Sequence, residues 1–98
     1  MSSIANFVTA TEYNSAGLTT SFATVATLTN PLVVLIIQND STVAAMMSFN
    51  LSGVTNLVVP AGDRIVLDLR PSEKFVNGAI QIKSTGAGVG TIYISGVY

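Results

Sequence analysis

Five carboxylates, four basic side chains and no histidine or cysteine are the whole stock of acid–base and charge chemistry in this chain. Histidine is the commonest general base, and cysteine is the most nucleophilic side chain near neutral pH. A Ser–Lys pair or a pair of carboxylates remains formally open. The carboxylates are Glu12, Asp40, Asp63, Asp68 and Glu73. Asp40 and Asp63 fall in turn-forming clusters, Asn39-Asp40-Ser41 and Pro60-Ala61-Gly62-Asp63, where capping the local backbone is the default role of such a side chain. Asp68 alternates with Arg64 and Arg70, which lowers its pKa and so moves it away from catalytic use. A carboxylate-based hydrolase has nothing in its favour beyond the carboxylates themselves. The chain is expected not to be an enzyme and to hold no cofactor or metal.

Six of the nine charges lie between Asp63 and Lys74. Arg64, Asp68 and Arg70 share one strand face at period-2 spacing, with Glu73 and Lys74 just beyond. They could be a solvated outer face or a blunted sheet edge. They could equally be a subunit contact in which Arg meets a neighbour's carboxylate in a forked geometry. The spacing does not decide between the two. The Gly-rich segment Gly86-Ala87-Gly88-Val89-Gly90 resembles a phosphate loop only superficially. That chemistry needs a helix to follow, and here Thr91-Ile92-Tyr93-Ile94-Ser95 follows, so a hairpin is favoured. Asn39-Asp40-Ser41 and Asn50-Leu51-Ser52 match the glycosylation sequon, a match expected to be chance because no secretory leader is read.

The elements that would position these residues are strands. Leu32 to Ile37 is six large aliphatic residues in a row between Asn30-Pro31 and Asn39-Asp40-Ser41, which reads as a strand buried on both faces. Pro31 is placed at its first position and Asn39-Asp40-Ser41 at its closing turn. Before it come strands over Asn6 to Tyr13 and Thr20 to Leu28, separated by a turn at Asn14-Ser15-Ala16-Gly17. In the second, Phe22, Thr24, Ala26 and Leu28 take one face, while Ala23, Val25 and Thr27 take the other. After the aliphatic run, Thr42 to Leu51 alternates, with Val43, Ala45, Met47, Phe49 and Leu51 on one side, and Ser52-Gly53 ends the strand. Asn56 to Val59, Arg64 to Arg70, Ala79 to Ser84 and Thr91 to Tyr98 complete the set, with Asn77-Gly78 as a further turn. About eight short strands without a helix indicate an all-β antiparallel sandwich or small barrel. On the last strand Ile92 and Ile94 form one stripe, while Tyr93 and Val97 form the other. Val66, Met46 and Ala44 likewise put apolar groups on nominally wet faces, which means either sheet-on-sheet burial with some faces assigned the wrong way or, the reading favoured, an oligomer contact.

Charged residues make up only 9% of the chain, against roughly 25% in ordinary soluble domains, and Ser, Thr and Asn take their place. A surface with so little charge repels its own copies weakly, which suits a protein that works against other protein. A net charge of −1 with four scattered basic residues excludes a basic nucleic-acid footprint. No basic amphipathic helix is read, and the longest apolar run is far short of the roughly 20 residues of a membrane-spanning helix. The start has neither a positive region nor an apolar stretch of leader type, so synthesis in a cytoplasm is expected. Residues 1–98 read as one domain, with 1–5 a flexible arm.

The order of features from Asn30 to Tyr98 resembles a family of small bacteriophage virion proteins. The matching pieces are Asn30-Pro31 before a strand ending in Ile37-Gln38-Asn39, the turn Val59-Pro60-Ala61-Gly62-Asp63, and Gly78-Ala79-Ile80 leading through a Gly-rich loop to Ile92-Tyr93-Ile94. The resemblance covers about two-thirds of the chain, and Pro60-Ala61-Gly62-Asp63 departs from the more acidic or Ser-containing turn of such proteins. It implies a β-sandwich or jelly roll located in the virion, without a catalytic role. The implied function is an oligomeric capsid decoration (cement) protein, with a trimer favoured, bound to a major capsid or other virion protein. The alternatives are a head-fibre base or a tail-associated component, including a receptor- or glycan-binding module. The expected interface residues are Arg64, Asp68, Arg70, Glu73, Lys74, Tyr93 and Val97.

Overall fold

A computed structural model describes residues 7–74 and 76–98, and of Thr9 the backbone alone. The expected arm at residues 1–5 lies outside the described residues. The eight described strands are β1 (Phe7–Asn14), β2 (Ala23–Leu32), β3 (Val34–Ser41), β4 (Ala45–Phe49), β5 (Leu57–Val59), β6 (Arg64–Asp68), β7 (Val76–Lys83) and β8 (Gly90–Val97). Two short 3₁₀ turns, Ser15–Gly17 and Arg70–Ser72, interrupt them.

The pairing follows one rule. β1 pairs with β8, β2 with β7, β3 with β6 and β4 with β5, all antiparallel. The chain is thus one long hairpin laid against itself. Two further pairings, β3 with β8 and β4 with β7, roll that hairpin into separate sheets ordered β1-β8-β3-β6 and β2-β7-β4-β5. This is the jelly roll, a sandwich rather than a closed barrel.

The core lies between the sheets. Leu35 and Ile37 on β3, Ile92 and Ile94 on β8, Ile80 and Ile82 on β7, and Met47 on β4 are essentially without solvent contact. Each such side chain contributes about 1.5–3 kcal/mol by leaving water. Ile65, Leu67 and Leu69 from the edge of the first sheet pack onto them. Ile80, Ile82, Ile92, Ile94, Ile65 and Leu67 therefore face inward as their alternation predicts.

Six expectations need correction. The strand after the aliphatic run ends at Phe49, and Leu51, expected on its inner side, is exposed in a turn with φ 52°. The aliphatic run is not one strand buried on both faces: Leu32 ends β2, Val33 crosses between sheets, and β3 begins at Val34. Within β3, Leu35 and Ile37 face the core, while Ile36 is half-buried and Gln38 exposed on the outside. Pro31 lies inside β2, an edge strand, beside an irregularity between Leu28 and Leu32 where its missing N–H is tolerated. Asn39-Asp40-Ser41 is the end of β3, not a turn. Asn77-Gly78 lies within β7, where Gly78 (φ +78°) sits at the same irregularity. A turn and a bulge both ask for positive φ, so the dipeptide alone does not separate them. In β2 a second shift between Thr24 and Ala26 brings both Val25 and Ala26 onto the core, in place of strict alternation.

Two glycines mark close approach rather than flexibility. A Cβ on Gly96 would run into the carbonyl oxygen of Val34, and one on Gly90 into that of Asp40. Both lie where β8 pairs with β3.

Candidate interaction face

Directly opposed residues in an antiparallel pair point to the same side of the sheet, so the register defines rows across the outer face of β1-β8-β3-β6. One row runs Phe7, Val97, Val34, Asp68. The next contains Ser95, Ile36 and Val66. A third runs Glu12, Tyr93, Gln38, Arg64, and a fourth contains Asn14, Thr91 and Asp40. One end of the face is therefore apolar and the other polar, with charge at its margins.

The apolar end is unusually bare for an outer face. Phe7 is 77% and Val66 52% exposed, while Val97 and Ile36 are half-buried and Val34 retains only 8%. Five apolar side chains in adjacent rows make a contiguous patch rather than the scattered singles normal on a surface. The outer face of the other sheet differs. Thr24, Thr27, Gln81 and Lys83 dominate it, with Gln81 donating to the Thr24 hydroxyl (3.4 Å) and the Lys83 ammonium 4.7 Å from the Phe22 ring centre.

Asp68 and Arg70 form a forked pair at the apolar end. The guanidinium donates from Nε to Oδ1 (2.9 Å) and from Nη2 to Oδ2 (2.8 Å), and the Arg70 backbone N–H adds a third donor at 3.1 Å. Donation by the Arg70 side chain, with the Arg70 backbone N–H second, holds the Asp68 carboxyl below the usual carboxylate range. The same hydrogen bonding raises Arg70. Asp63 accepts from the Arg64 backbone N–H (2.8 Å), a local turn role as expected. Asp40, on a strand rather than a turn, accepts from the Gln38 amide (2.9 Å).

Of the sequence-predicted interface residues, Arg64, Asp68, Tyr93 and Val97 share this outer face, and Arg70 joins it through Asp68. Glu73 and Lys74 are exposed in the connection after the second 3₁₀ turn, where Glu73 takes a left-handed conformation (φ 57°). Val66 belongs to the same patch, whereas Met46 projects from the opposite sheet, beside Val58 and Lys83. Ala44 precedes β4, its carbonyl held by the Ser84 hydroxyl (2.7 Å). Those apolar residues thus serve two surfaces rather than one. Sequence reasoning missed Phe7, Val34, Ile36 and Glu12 as members. The two-residue step from Val34 through Ile36 to Gln38 carried the information, but six aliphatics in a row concealed that only Val34 and Ile36 among them faced out.

A shallow open recess of about 330 Å³ adjoins the patch, lined by Phe7, Val8, Thr29, Asn30 and Tyr98. Among the described residues no three carboxylates lie together in a way that could hold a metal ion.

No family model, curated protein or solved structure matches this chain.

Proposed function

We propose that this protein is a bacteriophage virion structural protein, an oligomeric capsid decoration protein that binds the head shell and stabilises it. The observation that carries the reading is the outer face of β1-β8-β3-β6. Its contiguous apolar patch with charged margins is the composition of a protein contact, apolar at the centre and polar at the rim. The jelly roll is an architecture used by viral capsid proteins among others, so the fold supports the reading by analogy only. The resemblance from Asn30 to Tyr98 supplies the virion address. The exposed Glu73–Lys74 connection and residues 1–5 are the segments proposed to reach the shell. Weak contacts of this kind gain strength when repeated over many copies on one particle.

The test is made on purified phage particles separated into heads and tails. The protein should occur in high copy on heads, and heads stripped of it should release DNA at a lower temperature. Its absence from particles would overturn the proposal.

The recess between Phe7 and Tyr98 favours a second reading, a glycan-binding module of a tail or head fibre. Exposed aromatic rings beside the Thr29 hydroxyl and the Asn30 amide are the groups a sugar needs. Binding of a defined glycan, lost in Tyr98→Ala, together with location on fibres, would put this reading first.

A further inference from the structure

Glu12 and Arg64 close the two ends of one register row, three strand spacings apart. At about 4.8 Å per strand that is roughly 14 Å, too far for an ion pair within one chain. The only ion pair among the described residues joins Arg70 to Asp68. Both Glu12 and Arg64 are exposed, on opposite sides of the line between β8 and β3.

We infer that the outer face of β1-β8-β3-β6 binds the same face of a second copy about a two-fold axis parallel to the strands. That operation exchanges β1 with β6 and β8 with β3 while keeping each row level. Glu12 then meets Arg64 of the second copy, and Arg64 meets its Glu12. Tyr93 opposes Gln38, and Val97 opposes Val34. Phe7 is brought over Asp68, whose carboxylate holds the Arg70 guanidinium as a flat surface on which an aromatic ring stacks well. A contact of this kind is isologous, each patch complementing itself. Aligned packing of two twisted sheets face to face is a standard arrangement.

The area agrees. Three strands of eight residues and β6 of five, about 4.8 Å apart at about 3.3 Å per residue, cover roughly 460 Å² per copy, or about 900 Å² for the pair. Surface relief raises that flat-sheet figure to the roughly 1,000 Å² at the low end of specific interfaces. The inference rests on the self-association in the proposed function but not on its virion address. It replaces the expected trimer by a two-fold pair.

The experiment is sedimentation equilibrium of the full chain, at low and high salt, for four proteins: wild type, Glu12→Arg, Arg64→Glu and the double variant. Wild type should be a dimer that weakens with salt. Each single reversal sets like charges against each other twice and should raise the dimer Kd at least about tenfold. The double variant restores opposite charges and should recover the wild-type Kd. Far-UV circular dichroism checks that all four are folded. Because both sites are exposed and the double variant carries both changes, its recovery also excludes misfolding as the cause. A dimer indifferent to both single reversals overturns the inference, as does failure of the double variant to recover. A wild-type trimer overturns the two-fold arrangement but leaves self-association standing. A wild-type monomer up to millimolar concentration overturns both.

Discussion

The Ser41 hydroxyl donates to Asn39 Oδ1 at 2.6 Å, at a place where both side chains are closed off from solvent. Asn39 lies at the inner end of β3 and spends its amide N–H groups on the carbonyls of Val43 (2.8 Å) and Val59 (3.0 Å). Its Oδ1 also accepts from the Ser41 backbone (3.1 Å). One side chain thus ties the exits of β3 and β5 to the approach to β4. The buried amide is also out of reach as a glycosylation acceptor.

Replacing Asn39 by Ala or Leu should therefore do more than remove four hydrogen bonds. It strands the buried Val59 carbonyl, at a cost of about 1–3 kcal/mol, and leaves the Val43 carbonyl only the Ser41 hydroxyl at 3.1 Å. A loss of about 2–4 kcal/mol in urea unfolding is expected for Asn39→Ala, and about 1 kcal/mol for Ser41→Ala, which leaves the Asn39 amide bonds in place. An Asn39→Ala loss under about 0.5 kcal/mol would mean that these three strands hold together without it.

The physical reasons for what could and could not be read in the sequence are plain at this site. Asn39-Asp40-Ser41 has turn composition because Asn and Ser readily bond local backbone. Here they do so as well, Asn39 with Ser41 and Ser41 with Val43, and Asn39 adds a bond across to Val59 that only the tertiary pairing allows. The inward sets on β6, β7 and β8 were legible since strict alternation leaves one apolar face. The order of strands was not, because hydrophobic period records which side a residue faces and says nothing of which strand lies beside it. The outer patch suffered from both limits. Arg64, Asp68, Tyr93 and Val97 could be picked out strand by strand, but their meeting with Phe7 and Glu12 depends on β1 and β6 being the two margins of one sheet.

Gly96→Ala and Gly53→Ala separate two reasons for conserving space at a glycine. Gly53 has φ +73° with open space around it, so Ala there meets only the left-handed penalty of about 1–2 kcal/mol. Gly96 would drive its Cβ into the Val34 carbonyl and toward the Leu32 side chain, where β8 must part from β3 to make room. Overpacking of this kind costs about 1–3 kcal/mol in side-chain cores, and backbone against backbone places it at or above the top of that range. Gly96→Ala should be the more damaging by thermal unfolding. Equal losses would mean that β8 and β3 make room for the added Cβ at no more cost than a left-handed residue.

The Asp68 carboxyl should titrate below the usual carboxylate range, followed by the pH dependence of its side-chain ¹³C shift. Arg70→Ala removes the largest cause and should move the midpoint up toward the ordinary value, with the backbone N–H at position 70 still donating. The sign of the linkage follows. Because the folded pKa is depressed, the contribution to stability is complete above the unfolded carboxylate pKa and disappears as pH falls through the folded one. Both side chains are well exposed, at 38% for Asp68 and 66% for Arg70, so solvent screening keeps that contribution small. A midpoint in Arg70→Ala identical to wild type would show that another group sets the Asp68 ionisation.

Ile36 and Ile37 are neighbours of the same chemistry on opposite faces of β3, so they distinguish the core from the outer patch in one comparison. Ile37 has no solvent contact, and Ile37→Ala should cost about 2–5 kcal/mol whatever the protein concentration. Ile36 is half-buried in the single chain, so Ile36→Ala removes little intramolecular contact. If two copies pack on this face, folding is linked to association, and the melting temperature of wild type rises with concentration. Ile36→Ala should then differ little from wild type in dilute solution and fall progressively behind as concentration increases. A constant gap from micromolar to millimolar protein would mean that Ile36 faces water at all concentrations and that the outer patch has no second copy upon it.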